Sequence, residues 1–339
     1  MAIYVLYILI IFLFINIYLF IFSIFTREKD NEQQKFDKFF KPSKDGIYEI
    51  KIIFKKPIKD CSYMFNKCKN IINIDLSSFD SSNVTNMSYM FNECSNLEEI
   101  NLNNLKANNV KDMSYMFSKC SELKKIIFPG SFETKKLENM ASMFYWCESL
   151  TEINFSQNFI TDKVTNFKLL FGKCFNLKKL ILIFFNTGEV TNMNSMFSEC
   201  KNLEEIIINP LIFKTDKVIN MGYMFNDCQS LKEFNFSAFN IHNVKYANYM
   251  FKNCKKLDEV DLSKSKMNLE ANICHMFEGC NSINVINIPC LNIVDNKKIE
   301  DMFNNISAGC YININSECTN EYIKRFPFIE KQINIDTNY

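Results

Sequence analysis

The chain has 339 residues, with 39 Lys and Arg against 38 Asp and Glu, for a net charge of +1. That balance argues against a general electrostatic hold on nucleic acid, which needs a surplus of cations on one face. A hydrophobic content of 47% excludes a wholly disordered chain, and seven glycines, with no G-x-G-x-x-G or G-x-x-x-x-G-K-[ST] run, leave no phosphate-cradling loop.

In chain order, the first element is an apolar run. Residues Ala2 to Phe25 carry no charge, and only Asn16 and Ser23 interrupt it. As a helix, twenty-four residues would rise roughly 36 Å, enough to cross a hydrocarbon core of about 30 Å. Residues 1–25 therefore read as an uncleaved membrane anchor. A signal peptide competes, although no Lys or Arg precedes the run and bulky residues fill Phe20 to Phe25; a buried soluble helix is a third reading. Arg27, Lys29, Lys35, Lys38, Lys41 and Lys44 follow the run and by the positive-inside rule favour a cytosolic repeat domain, although long domains often translocate regardless of charge. Residues 26–45 are charged and read as a linker. Residues 46–58 alternate as I-Y-E-I-K-I-I-F-K and read as a capping strand.

Residues 59–314 are repetitive. Met-Phe pairs recur at Met64, Met90, Met116, Met143, Met196, Met224, Met250, Met276 and Met302, with Leu170-Phe171 filling the gap, at spacings of 26 or 27 residues and one of 28. Met87, Met90, Phe91, Cys94 and Leu97 fall at i, i+3, i+4, i+7 and i+10, the apolar stripe of a short helix. Asn86, Asp112, Asn139, Asn166, Asn192, Asn220 and Asn272 stand where its N-cap belongs. An alternating strand follows, with inward pairs such as Ile100/Leu102, Ile126/Phe128, Leu180/Leu182 and Phe234/Phe236. One such unit cannot bury its apolar face alone, so stacked units must share a core as a solenoid.

The run N-V-T-N-M-S-Y-M-F-N-E-C-S-N-L-E-E-I-N-L resembles the BspA-like leucine-rich repeats of microbial surface proteins, including the mycoplasma lipoprotein type. The resemblance covers roughly Lys59 to Ile314. It implies an α/β solenoid, a leucine-rich-repeat-type right-handed coil of about ten ~26-residue repeats with a parallel β-sheet on one side and short helices on the other. It also implies adhesion or protein binding at a cell surface, and it carries no catalytic residues. The last copies depart from the pattern, with Glu270 for Val, Ile306 for Cys and Ser265 for Phe. A C-terminal cap or tail over residues 315–339 accounts for this.

Nine of the 14 cysteines (Cys68, Cys94, Cys120, Cys147, Cys174, Cys200, Cys228, Cys254 and Cys280) occupy one repeat position. That period matches no zinc motif, so they read as a buried structural ladder. Cys61 substitutes for a core Met. Cys310 and Cys318 lie beyond the ladder and could form a disulfide in an oxidising compartment. The methionines follow the core period, and His242 and His275 occupy different repeat positions, so neither a metal or haem site nor a hydrolytic triad is supported. No cofactor is expected.

The outward strand positions carry the functional expectation, beside a plainer reading in which charges on adjacent strands only neutralise one another and keep the face soluble. Lys124, Lys125, Lys178, Lys179, Glu204 and Glu205 alternate in sign from coil to coil, and Ile181 and Ile207 form an apolar spot among them. Such strand faces are where solenoids bind. The expected function is a non-enzymatic, membrane-anchored protein at the cell surface whose ligand is a protein or another cell surface, with no nucleic acid. If the first segment is cleaved, the protein is secreted. The alternative is a cytosol-facing scaffold on an internal membrane, distinguished by glycosylation of the sequons at Asn83 or Asn154.

Overall fold

The computed structural model describes residues 4–11, 25–26, 47–54, 57–315 (apart from 266, 269 and 290–295) and 333–336. The chain falls into two compact units, Met1–Val164 with Lys173–Leu177, and Thr165–Gly172 with Lys178–Tyr339.

In the first unit the strands are β1 (Tyr4–Ile11), β2 (Phe25–Thr26), β3 (Ile47–Phe54), β4 (Ile71–Asp75), β5 (Glu99–Asn101), β6 (Lys125–Ile127) and β7 (Glu152–Asn154). The parallel pairs β4–β5 and β6–β7 set each residue beside its counterpart one repeat later: Asn73 beside Glu99, Lys125 beside Glu152. The order β2-β3-β1-β4-β5 continues the sheet at its N-terminal end, with β1 antiparallel to both β3 and β4. Of the run over residues 2–25 expected as a membrane-crossing helix, Tyr4–Ile11 forms a strand, and most of the rest lies outside the described residues. Among the described residues no helix is long and apolar enough to cross a membrane.

The second unit contains β8 (Lys179–Leu182), β9 (Glu205–Ile208), β10 (Glu259–Asp261), β11 (Val285–Asn287), β12 (Tyr311–Asn315) and β13 (Ile333–Asp336), paired in parallel as β8–β9 and as β10-β11-β12-β13. The coil carrying Phe234 and Phe236 forms no strand. A 3-10 turn at Phe236–Ala238 replaces it, opened by Asn235, whose side chain accepts the Ser237 N–H. Both phenyl rings remain buried and pack edge-on to one another at 5.0 Å.

Each unit is a parallel β-solenoid, and the short helices expected opposite the sheet are absent from its described coils: the helical elements among the described residues are two three-residue 3-10 turns. The Met-Phe-Cys stripe is instead a chain of tight turns. Met90 N–H donates to Met87 O at 3.3 Å, and Cys94 N–H donates to Phe91 O at 3.1 Å. The third residue of each turn, Tyr89 or Glu93, has a φ of 57° or 59°, as in a type II turn. The intervening N–H groups leave the coil. Met87, Tyr89, Phe91 and Glu93 donate to Asp112, Ser114, Met116 and Ser118 of the next repeat at 2.8–2.9 Å. A helix of ten residues would have to nucleate alone, whereas a neighbouring coil presents carbonyls already in register.

The expected N-caps keep their acceptor role without a helix. Asn86 Oδ1 accepts Ser88 N–H at 2.9 Å, Asp112 accepts Ser114, Asn139 accepts Ala141 and Asn192 accepts Asn194. These are Asx turns, in which a side chain stands in for a backbone acceptor two residues away.

The core is a set of side-chain ladders. In the first unit Phe65, Phe91, Phe117 and Phe144 stack at 5.4, 5.5 and 5.9 Å. In the second, Phe171, Phe197, Phe225, Phe251, Phe277 and Phe303 repeat the arrangement. Ser265, which breaks the Phe pattern, is buried but satisfied: its hydroxyl donates to Phe239 O at 3.0 Å and accepts Ile241 N–H.

Candidate functional site

The strand face carries the expected outward residues. In the first unit Lys124 and Lys125 are exposed, and their ammonium groups lie 2.9 Å from Glu98 and 2.8 Å from Glu152. These ion pairs hold the Glu152 carboxyl below, and the Lys124 ammonium above, their ordinary pKa values. Exposed pairs of this kind are screened by water and contribute little to stability, so they neutralise the face more than they stabilise it. Ile127 in β6 is 49% exposed.

In the second unit Lys178, Lys179, Glu204 and Glu205 are all exposed. Lys179 stands beside Glu205 and Ile181 beside Ile207 in the β8–β9 register, and Lys179 Nζ lies 2.7 Å from Glu205. Ile181 is 44% exposed and Ile207 is half-buried. Two further exposed apolar residues follow these strands in the chain. Phe184 and Leu211, in the turns after β8 and β9, are 40% and 80% exposed. Neither belongs to the repeat pattern, so the period that reveals the core passes over them; Pro210 beside Leu211 marks the turn.

The opposite side carries a feature of its own. Tyr63, Tyr89 and Tyr115, one per coil at a left-handed turn position, stack at 4.6 and 4.5 Å in the first unit. Tyr223, Tyr249 and His275 stack at 4.7 and 4.6 Å in the second. Only the middle ring of each stack, Tyr89 or Tyr249, has a ring on both faces in these stacks. Lys119 on this side pairs with Glu93 at 3.0 Å and lowers the pKa of that carboxyl.

The cysteine ladder is internal in both units. Cys68, Cys94, Cys120, Cys147 and Cys174 in the first, and Cys200, Cys228, Cys254 and Cys280 in the second, are all buried. From Cys94 onward each Sγ–H donates to the carbonyl of the Phe one coil back, at 3.0–3.2 Å, as Cys94 does to Phe65 and Cys280 to Phe251. Burial pushes the thiols of Cys68, Cys147 and Cys280 up to about 12. Because the thiolate is the reactive form, these nine are expected to label slowly with a bulky thiol reagent in the native state and fast in denaturant. The half-buried Cys274 is expected to react before them; rapid native labelling of Cys147 or Cys200 would contradict the ladder. Cys310 is a buried free thiol, and Cys318, its candidate disulfide partner, lies outside the described residues.

The two histidines stand apart. His242 is exposed, and His275 contacts Glu278 at 2.8 Å. Among the described residues no group of three His, Cys, Asp or Glu side chains is placed to hold a metal ion.

No curated protein matches this chain. A family model described as "Mycoplasma protein of unknown function, DUF285" matches residues 35–156, 165–288 and 208–314. These matches take in most of the sequence and nearly all of its repeats, and the chain belongs to that family.

Proposed function

We propose that this protein is a non-enzymatic binding solenoid that presents its strand face to a protein partner. The observation that carries this reading is the surface around β8 and β9, where apolar Ile181, Phe184 and Leu211 are exposed beside charged Lys178, Lys179, Glu204 and Glu205. Protein interfaces have this composition, an apolar centre supplying most of the affinity within a polar rim. The likeness of the repeats to BspA-like surface proteins supports a place at the cell surface and a role in adhesion. The uncharged run of residues 2–25 supports membrane attachment there, which requires Tyr4–Ile11 to leave the sheet. The cationic flank from Arg27 to Lys44 favours a second reading, a scaffold facing the cytosol.

The test begins with capture of a partner by the full chain. Ile181→Asp combined with Ile207→Asp is expected to abolish that binding, and so is Leu211→Asp, whose exposure makes it harmless to the fold. Lys119→Glu, on the tyrosine side, is expected to leave binding intact. If binding survives the strand-face changes and fails with Lys119→Glu, the tyrosine side is the working surface.

A further inference from the structure

The same patch has a symmetry that identifies a partner. Lys178 and Lys179 lie on the β8 coil, and Glu204 and Glu205 hold the equivalent positions one coil on; Glu204 N–H donates to Lys178 O at 2.8 Å. Lys179 and Glu205 are paired within the chain. Lys178 and Glu204 are exposed and form no ion pair among the described residues.

A two-fold axis in the plane of the interface, running along the strands midway between β8 and β9, sets each residue of one strand opposite its registered neighbour in a second copy, and carries with it Lys178 and Glu204, which stand just ahead of the register. Lys178 then faces Glu204, and Glu204 faces Lys178. Ile181 meets Ile207 twice, and the turns bearing Phe184 and Leu211 are brought opposite one another. A patch that is cationic on its β8 side and anionic on its β9 side, with apolar residues further along both strands, is thus complementary to itself, which is the requirement for an isologous contact.

We infer that the face formed by β8 and β9 is a homodimer interface, its occupant a second copy of this chain. The inference rests on the strand-face reading above and names its partner. A two-fold axis across the strands would instead reverse β8 against β8 and set Lys179 against the apolar end of that strand, so the charge pattern selects the axis along the strands.

The test is sedimentation of the full chain in mild detergent over a range of concentrations, with thermal unfolding as the control for folding. The wild-type chain is expected to dimerise reversibly, and Leu211→Asp to abolish dimerisation. Lys178→Glu and Glu204→Lys are each expected to raise the dissociation constant about tenfold or more, because each places like charges together at two symmetric contacts. The double variant Lys178→Glu/Glu204→Lys is expected to restore the wild-type value within about threefold. A wild-type chain that stays monomeric, a dimer indifferent to Leu211→Asp, or single reversals that the double variant fails to rescue each overturn the proposal. If the chain is monomeric yet a different captured protein is lost with Leu211→Asp, the homodimer falls and the binding face stands. If that capture also survives Leu211→Asp, both fall.

Discussion

Phe117→Ala is expected to cost about 3–5 kcal/mol, the usual loss when a fully buried aromatic leaves a cavity. Phe117 is 0% exposed and lies between Phe91 and Phe144, 5.5 and 5.9 Å away with rings nearly parallel. Its neighbours cannot collapse into the space, because their own carbonyls are held by the ladder: Phe91 O accepts the Cys94 N–H and the Cys120 thiol. Lys125→Ala, on the strand face of the same unit, loses only an exposed ion pair with Glu152 and is expected to cost under about 1 kcal/mol. Urea melts of the two variants check both values. Equal losses would mean that the inward and outward positions have been interchanged.

Much of this architecture is legible in the residues. The 26-residue recurrence of Met-Phe-x-x-Cys places Met90, Phe91 and Cys94 in the core, where each is 0% exposed. Strict alternation places Lys125 outward and Ile126 inward, since side chains of a strand point to opposite faces. The helix did not follow from the same pattern. Apolar spacings of three and four residues suit linked tight turns as well as they suit a helix. What separates the two is the destination of alternate N–H groups, which depends on the next coil and not on local sequence. Nor does propensity place Tyr89 and Glu93 at positive φ, where non-glycine residues cost about 1–2 kcal/mol; hydrogen bonds of 2.9 and 2.8 Å to Ser114 and Ser118 hold them there. The repeat also overstated uniformity. Ile100, expected inward, is only half-buried, and Leu211, the most exposed large apolar residue described, lies where no repeat rule speaks.

The buried thiols make the fold sensitive to alkali. In the first unit Cys61, Cys68 and Cys147 are pushed up to about 12, chiefly by burial, with the charge of Asp60 adding to the effect at Cys61. In the unfolded chain a cysteine titrates near 8.5–9. Between those limits the unfolded state has released these protons and the native state has kept them. Stability therefore falls as pH rises, because its slope follows the protons bound in the unfolded state minus those bound in the native state. The stabilisation is fully present below about pH 8.5 and is lost progressively as pH climbs toward 12. Each thiol contributes about 1.4 kcal/mol per pH unit, so three together give about 4 kcal/mol per unit above pH 9, enough to unfold a domain of ordinary stability within two units. Tyrosines and lysines also titrate in this range, so a variant is needed to isolate the thiols. Cys147→Ala removes one ladder thiol and the bond from its Sγ to Phe117 O. It is expected to be less stable than wild type at pH 7 but to lose stability more slowly between pH 9 and 10.5, by about 1.4 kcal/mol per unit. Urea melts across that range, under a reducing agent, give both slopes. Identical slopes for the two proteins would mean that Cys147 ionises in the folded state as readily as in the unfolded one, which a thiol sealed between coils cannot do.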